Sequence, residues 1–184
     1  KYNIMTLNLP FSDLYNKYSE KIKKKFDLDN YICIHLRLEN DCINYMMSLT
    51  KDYNYDKYNN LYKEIYETEL YNLISTNWNT KIYICTSLGI YENDNNDYYK
   101  HIKTKYNLID KNDLVENNKN NECRELFGII DYLIARDSNY FIGCDWSSFS
   151  ILIYTNHKLK NKESKLLNLW SSSVNISENK SITK

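Results

Sequence analysis

The stretch YICIHLRLEND, residues 31–41, decides the fold. Its first six residues are short, rich in β-branched side chains and almost continuously apolar, the composition of a strand buried on both faces of a parallel sheet. A second run of this kind, KIYICT, occupies 81–86. Between the two, Tyr58, Leu61, Tyr62, Ile65, Tyr66, Leu70, Leu73 and Ile74 recur at helical spacing, so the unit reads strand, helix, strand. Upstream, Ser12 as N-cap with Leu14, Tyr18, Ile22 and Phe26 predicts an amphipathic helix over 11–26. Downstream come a helix over 97–106, an extended piece near Leu108, and a helix over 122–136 carrying Leu126, Phe127, Ile130 and Leu133. A strand over 140–143 and a helix from near Ser147 complete the alternation. The pattern predicts an α/β domain with a Rossmann-like parallel sheet flanked by helices. Residues 92–96 and 116–121 read as loops. The domain is expected over 1–160, with 161–184 a polar, mobile C-terminal tail.

Composition narrows the function classes. At 184 residues, 42% hydrophobic and 26% charged, the chain is ordinary globular material, and its single Pro and three Gly exclude collagen-like and Pro-rich readings. No apolar run reaches the roughly 20 residues of a membrane span, so no membrane insertion is expected. Lys and Arg total 24 against 24 Asp and Glu; no global field gathers nucleic acid, and an anion site must be local. Asn, Lys, Ile and Tyr dominate as AT-rich coding makes them, so Lys23–Lys25 or the Asn run at 117–121 reads as solvated surface. Against that background the three arginines, Arg37, Arg124 and Arg136, mark positions that need a planar, two-pronged cation. The five cysteines show no CxxC and the three histidines no ligand spacing, so no metal is expected. The thiols read as small buried hydrophobes, with a single bridge the alternative. Lys1 in place of an initiator Met leaves open a processed product or part of a longer chain.

Ligands of such sheets gather beyond the carboxyl ends of the strands. The first strand ends in HLRLEND, whose alternation, if extended, throws His35, Arg37, Glu39 and Asp41 to one side. This reads either as a strand edge with a local ion pair, Arg37 to Glu39 or Asp41, or as a phosphate clamp with Arg37 bidentate and His35 a second donor. The second strand delivers Thr86 and Ser87. The third delivers GCDWSSFS, where Asp145, Ser147, Ser148 and Phe149 follow Gly143. Ser147 and Ser148 serve either as a helix cap or as an anion-binding helix start. GxGxxG, the P-loop and GxSxG are all absent, and no spacing favours a Ser/His/Asp triad.

In order, YICIHLRLEND, KIYICTS and ELFGIIDYLIARDSNYFIGCDWSSFSILI resemble the nucleotide-binding half of the GDP-fucose protein O-fucosyltransferase superfamily, a metal-independent, inverting GT-B group. The resemblance spans about 13–155. It implies GDP-fucose as donor, a protein or glycan hydroxyl as acceptor, and no metal or other cofactor. Residue by residue, it places Arg37 on the β-phosphate of the leaving GDP with His35 beside it. Ser147, Ser148 and Phe149 match the SSF element, the serines on the phosphates and Phe149 bordering the nucleotide. Thr86 and Ser87 line the pocket, and Asp145 joins the nucleotide-binding set. Asp131 matches an acidic position that holds guanine or its loop; read without the family, it is a helix-face carboxylate near Arg136. Glu39 and Asp41 are the candidate bases. Trp146 either stacks on a base or caps the core, the core being favoured.

GT-B enzymes of this group carry a second Rossmann-like half before the HxR strand, whereas 30 residues precede Tyr31 here. The chain is then the C-terminal part of a longer enzyme, or its acceptor side is built differently. The alternative to an enzyme is a non-catalytic α/β nucleotide-binding or interaction module of the same fold. The family setting points to the secretory lumen, which the sequons at Asn175 and Asn179 permit; a cytoplasmic location stays open.

Overall fold

A computed structural model describes residues 13–76, 79–89, 93–113, 124–169 and 171–173. The elements in chain order are α1 (Asp13–Phe26), β1 (Tyr31–His35), α2 (Asn40–Thr50), α3 (Tyr55–Thr76), β2 (Lys81–Cys85), α4 (Asn96–Lys105), a 3-10 turn (Lys111–Asp113), α5 (Arg124–Asp137), β3 (Tyr140–Cys144), α6 (Ser148–Leu159) and β4 (Glu163–Leu167). The four strands form one parallel sheet in the order β2-β1-β3-β4, with Ile34 beside both Ile84 and Ile142. The Rossmann-like α/β expectation holds.

The strand period of two sorts the core into two layers. Ile32, Ile34, Ile82, Ile84 and Ile142 face α2, α3 and α4, meeting Met46, Tyr58, Tyr62, Tyr66 and Ile102. Tyr31, Cys33, Tyr83, Cys85 and Phe141 face the other way, against Ile22 of α1, Leu133 of α5 and Ile153 of α6. Both faces are covered, which is why the strands read as continuous apolar runs. The extended piece expected near Leu108 is an isolated bridge from Ile109 to Tyr83, closed by Ile84 N–H to Ile109 O at 2.8 Å.

Three expectations change. The alternation from His35 does not stay extended to Asp41: β1 ends at His35, Glu39 stands at the N-cap position of α2, and Asp41 lies in the first helical turn. The helix α2 was not foreseen because its apolar face, Cys42, Ile43 and Met46, is only one turn deep. The expected tail is structured past residue 160. Glu163–Leu167 pairs with β3 along its length, Leu167 and Leu169 are buried, and Ser173 donates to Leu169 O at 2.7 Å. An edge strand with one buried side chain carries too little hydrophobic signal to read as a strand. Lys162 fixes its start by donating to the carbonyls of Asp137 and Ser138, both at 2.9 Å. The loop expected at 116–121, the N-cap Ser12, Cys123 and both sequons lie outside the described residues. Cys33, Cys42, Cys85 and Cys144 are buried free thiols. Among the described residues no helix is long and apolar enough to cross a membrane.

Candidate functional site

After β1 the chain turns to one face of the sheet, into α2, and after β3 to the other, into α6. This divergence between adjacent strands opens a crevice at their carboxyl ends. A cleft of about 370 Å³ occupies it. Of the residues singled out from sequence, His35, Arg37, Glu39, Thr86, Ser87, Asp131, Ser147, Ser148 and Phe149 line its wall, while Asp41 and Asp145 do not. Asp145 instead uses its backbone N–H on Leu167 O of β4 at 3.1 Å.

Arg37 follows β1 in a loop whose backbone is tied down by Tyr66. The Tyr66 hydroxyl donates to His35 O at 3.0 Å and accepts from Arg37 N–H at 3.1 Å. The guanidinium lies 5.6 Å from the Trp146 ring centre. Its Nε is buried without a hydrogen-bond partner; the facing Glu39 Oε2, likewise unpartnered, stands 3.7 Å away. Asp41 Oδ2 is 3.7 Å from Nη2. Burial opposes the Arg37 charge, but Glu39, Cys42 and Asp41 outweigh it and raise its pKa further. Glu39 is turned away from its own helix: Oε1 accepts from Ser87 N–H at 3.1 Å, Ser87 Oγ at 2.9 Å and Thr86 Oγ1 at 3.4 Å. The ends of β1 and β2 are thereby joined through one carboxylate.

His35 is buried, with Nδ1 2.7 Å from Ser150 Oγ and the Phe149 ring 4.6 Å away. Burial, then the charges of Arg37 and Lys111, hold its pKa well below 6.5, so the ring is neutral. Ser147 caps α6, its hydroxyl accepting from Ser150 N–H at 3.5 Å, and the first helical turn opens on the cleft beside Ser148. Ser147 thus caps the helix, and it and Ser148 both line the cleft. Trp146 likewise does two things: it packs on the core, stacks on Tyr45 at 5.8 Å, and lines the cleft.

Asp131 does not pair with Arg136, which holds Asp137 at 2.8 and 3.1 Å. It lies in the cleft wall, accepts from the Tyr83 hydroxyl at 2.9 Å, and forms an ion pair with Lys111. Burial pushes its pKa up to about 6 against the pull of Lys111 and Tyr83. Lys111 also donates to Thr86 O at 2.5 Å. Sequence reasoning missed Lys111 because one Lys among many carries no signal, and Tyr66 because it acts by holding another residue; Ser150 lies in the expected crevice segment GCDWSSFS but was given no role.

The family model for GDP-fucose protein O-fucosyltransferase matches residues 2–160. No curated protein matches the chain. The matched span runs through every described element from α1 to α6 and holds every residue of the cleft. On the strength of that span, the chain belongs to the GDP-fucose protein O-fucosyltransferase family.

Proposed function

We propose that the chain is the donor-binding domain of a GDP-fucose-dependent, GT-B-type fucosyltransferase, transferring fucose with inversion and without a metal to a protein or glycan hydroxyl. Family membership implies the glycosyltransferase activity. The observation that carries the donor site is Arg37 Nε, buried and unpartnered in a cleft it shares with a neutral His35 and the start of α6. A module kept only for protein contacts has no use for such a donor, which costs stability unless a ligand satisfies it.

In the reaction the acceptor oxygen attacks C1 of fucose from the side opposite the diphosphate. The C1–O bond breaks, its electron pair passes to a β-phosphate oxygen, and the acceptor proton leaves to a base. Negative charge grows on the diphosphate as the sugar becomes oxocarbenium-like, so a fixed guanidinium there stabilises the transition state more than the ground state. That role is the one a divalent metal plays elsewhere. Glu39 suits a positioning role, since three donors hold Oε1 and Oε2 faces Arg37. Of the two carboxylates, Asp41, with its side chain 59% exposed, is the one open to an acceptor.

Calorimetric titration with GDP, GDP-fucose and UDP, each with and without a chelator, tests this. Saturable binding that prefers guanine and ignores the chelator is expected. A chain that binds UDP as well as GDP, or only with a metal, overturns the reading.

A further inference from the structure

We propose that Ser150 is a positioning residue that fixes the tautomer of His35, so that Nε2 carries the ring proton into the cleft as a permanent donor to an anionic ligand oxygen. The Ser150 hydroxyl is fully buried and has three polar neighbours. The backbone N–H of Cys144 donates to it at 3.0 Å, a polarity that cannot reverse. The hydroxyl proton must then go to His35 Nδ1 at 2.7 Å or to Cys144 Sγ at 3.8 Å. An unprotonated imidazole nitrogen at that distance is a far better acceptor than a thiol sulfur at the limit of contact. Nδ1 is therefore the acceptor, and the proton of the neutral ring resides on Nε2. Burial beside Arg37 and Lys111 keeps the ring from taking a second proton.

Gly143 is what lets Ser150 come this close. A Cβ on Gly143 would stand 2.6 Å from Ser150 Cβ, 2.7 Å from its Oγ and 2.8 Å from Phe141 Cε1. This glycine near the end of β3 therefore serves close approach, and through it the orientation of an imidazole on the neighbouring strand. The ring is held from the side by Phe149 at 4.6 Å, so rotation to exchange its two nitrogens would break both the packing and the hydrogen bond.

The ligand half of this inference rests on the nucleotide reading; the tautomer does not. The test is a long-range proton–nitrogen correlation spectrum of the histidine rings in the unliganded 184-residue chain at neutral pH, with His35→Gln used for assignment only. Expected for His35 are an unprotonated Nδ1 and a protonated Nε2. In Ser150→Ala the ring should fall into a tautomer mixture, and GDP affinity should drop about ten-fold, the worth of one hydrogen bond to a charged group. A wild-type ring protonated on Nδ1, or a tautomer unchanged in Ser150→Ala, overturns the proposal. The wild-type spectrum decides alone if Ser150→Ala fails to fold. A correct tautomer in a chain that binds no GDP refutes the ligand half and the nucleotide reading, and leaves the work of Ser150 on the ring in place.

Discussion

Replacing Arg37 by Lys keeps the charge and removes the fork. In the free protein the change is mild: the backbone of residue 37 stays on Tyr66, Glu39 keeps its three donors from the end of β2, a charge stays near Glu39 and Asp41, and the contact over Trp146 is lost, worth about 0.5–1 kcal/mol. In the complex the loss is larger. An ammonium replaces two parallel N–H···O bonds to a phosphate with one directional contact, and a bond to a charged group is worth about 1.5–3 kcal/mol. Arg37→Lys should therefore weaken GDP about ten- to a hundred-fold while leaving the melting temperature nearly unchanged. Calorimetry at fixed ionic strength measures it, with Arg136→Lys as control, since Arg136 is committed to Asp137 outside the cleft. GMP supplies a second axis: if Arg37 meets the β-phosphate, the penalty disappears when that phosphate is absent. A folded Arg37→Lys chain that binds GDP as tightly as wild type refutes the phosphate clamp. An equal loss with GMP refutes its assignment to the β-phosphate.

Removing the ammonium with Lys111→Met strands the buried Asp131 on Tyr83 alone and should cost about 3–5 kcal/mol at neutral pH. Because the folded-state pKa of Asp131 lies above its unfolded value, the folded state binds the extra proton. Urea titrations should show Lys111→Met recovering stability as the pH falls from about 7.5 to about 5.5, and no recovery would mean Asp131 stays charged. His35 has the opposite sign: its folded pKa lies well below 6.5, so the unfolded chain takes the proton first. Its contribution is complete above 6.5 and lost below it by up to about 1.4 kcal/mol per pH unit, a slope that His35→Gln should remove. A chain cut after residue 160 loses buried Leu167 and Leu169 and the Lys162 clasp on Asp137 and Ser138, and should fall by at least about 4 kcal/mol. An unchanged melt by circular dichroism would show that β4 is dispensable.

The fold was legible where burial on both faces writes itself into the chain. YICIH and KIYIC are short, near-continuous apolar runs rich in β-branched residues, as strands buried on both faces are, and the tyrosines of α3 recur every turn because they cover the sheet. It was illegible where one face is wet: β4 shows ESKLL with one buried side chain, and α2 spends a single turn on the core. The site divides in the same way. Arg37, His35 and the serines at 147 and 148 stand at strand ends, and the strand-helix alternation alone predicts that these ends converge. Lys111 reaches the cleft only because the Ile109 bridge lays one more extended segment beside β2, a pairing no local pattern encodes. Tyr66 and Ser150 touch the site through another residue's backbone or ring, and sequence spacing gives no sign of a partner on a different element.

The two cations of the cleft, Arg37 and Lys111, are held in different ways. Lys111 binds Asp131 and Thr86 O, so its charge joins α5 to the end of β2. Arg37 is compensated without being committed: the carboxylates of Glu39 and Asp41 stand at 3.7 Å, near enough to hold the charge in a buried place and too far to take its N–H donors. The spacing follows from Glu39, which Ser87 and Thr86 draw toward β2 by Oε1, leaving Oε2 facing Nε across the gap. Were Glu39 free to close on Arg37, the pair would satisfy itself and a phosphate would have to displace it. Held back, it leaves Arg37 Nε without a hydrogen-bond partner, a stability cost in the free protein that a bound anion nearby would be expected to offset. Substitution at Lys111 should accordingly register in unfolding, and substitution at Arg37 in affinity.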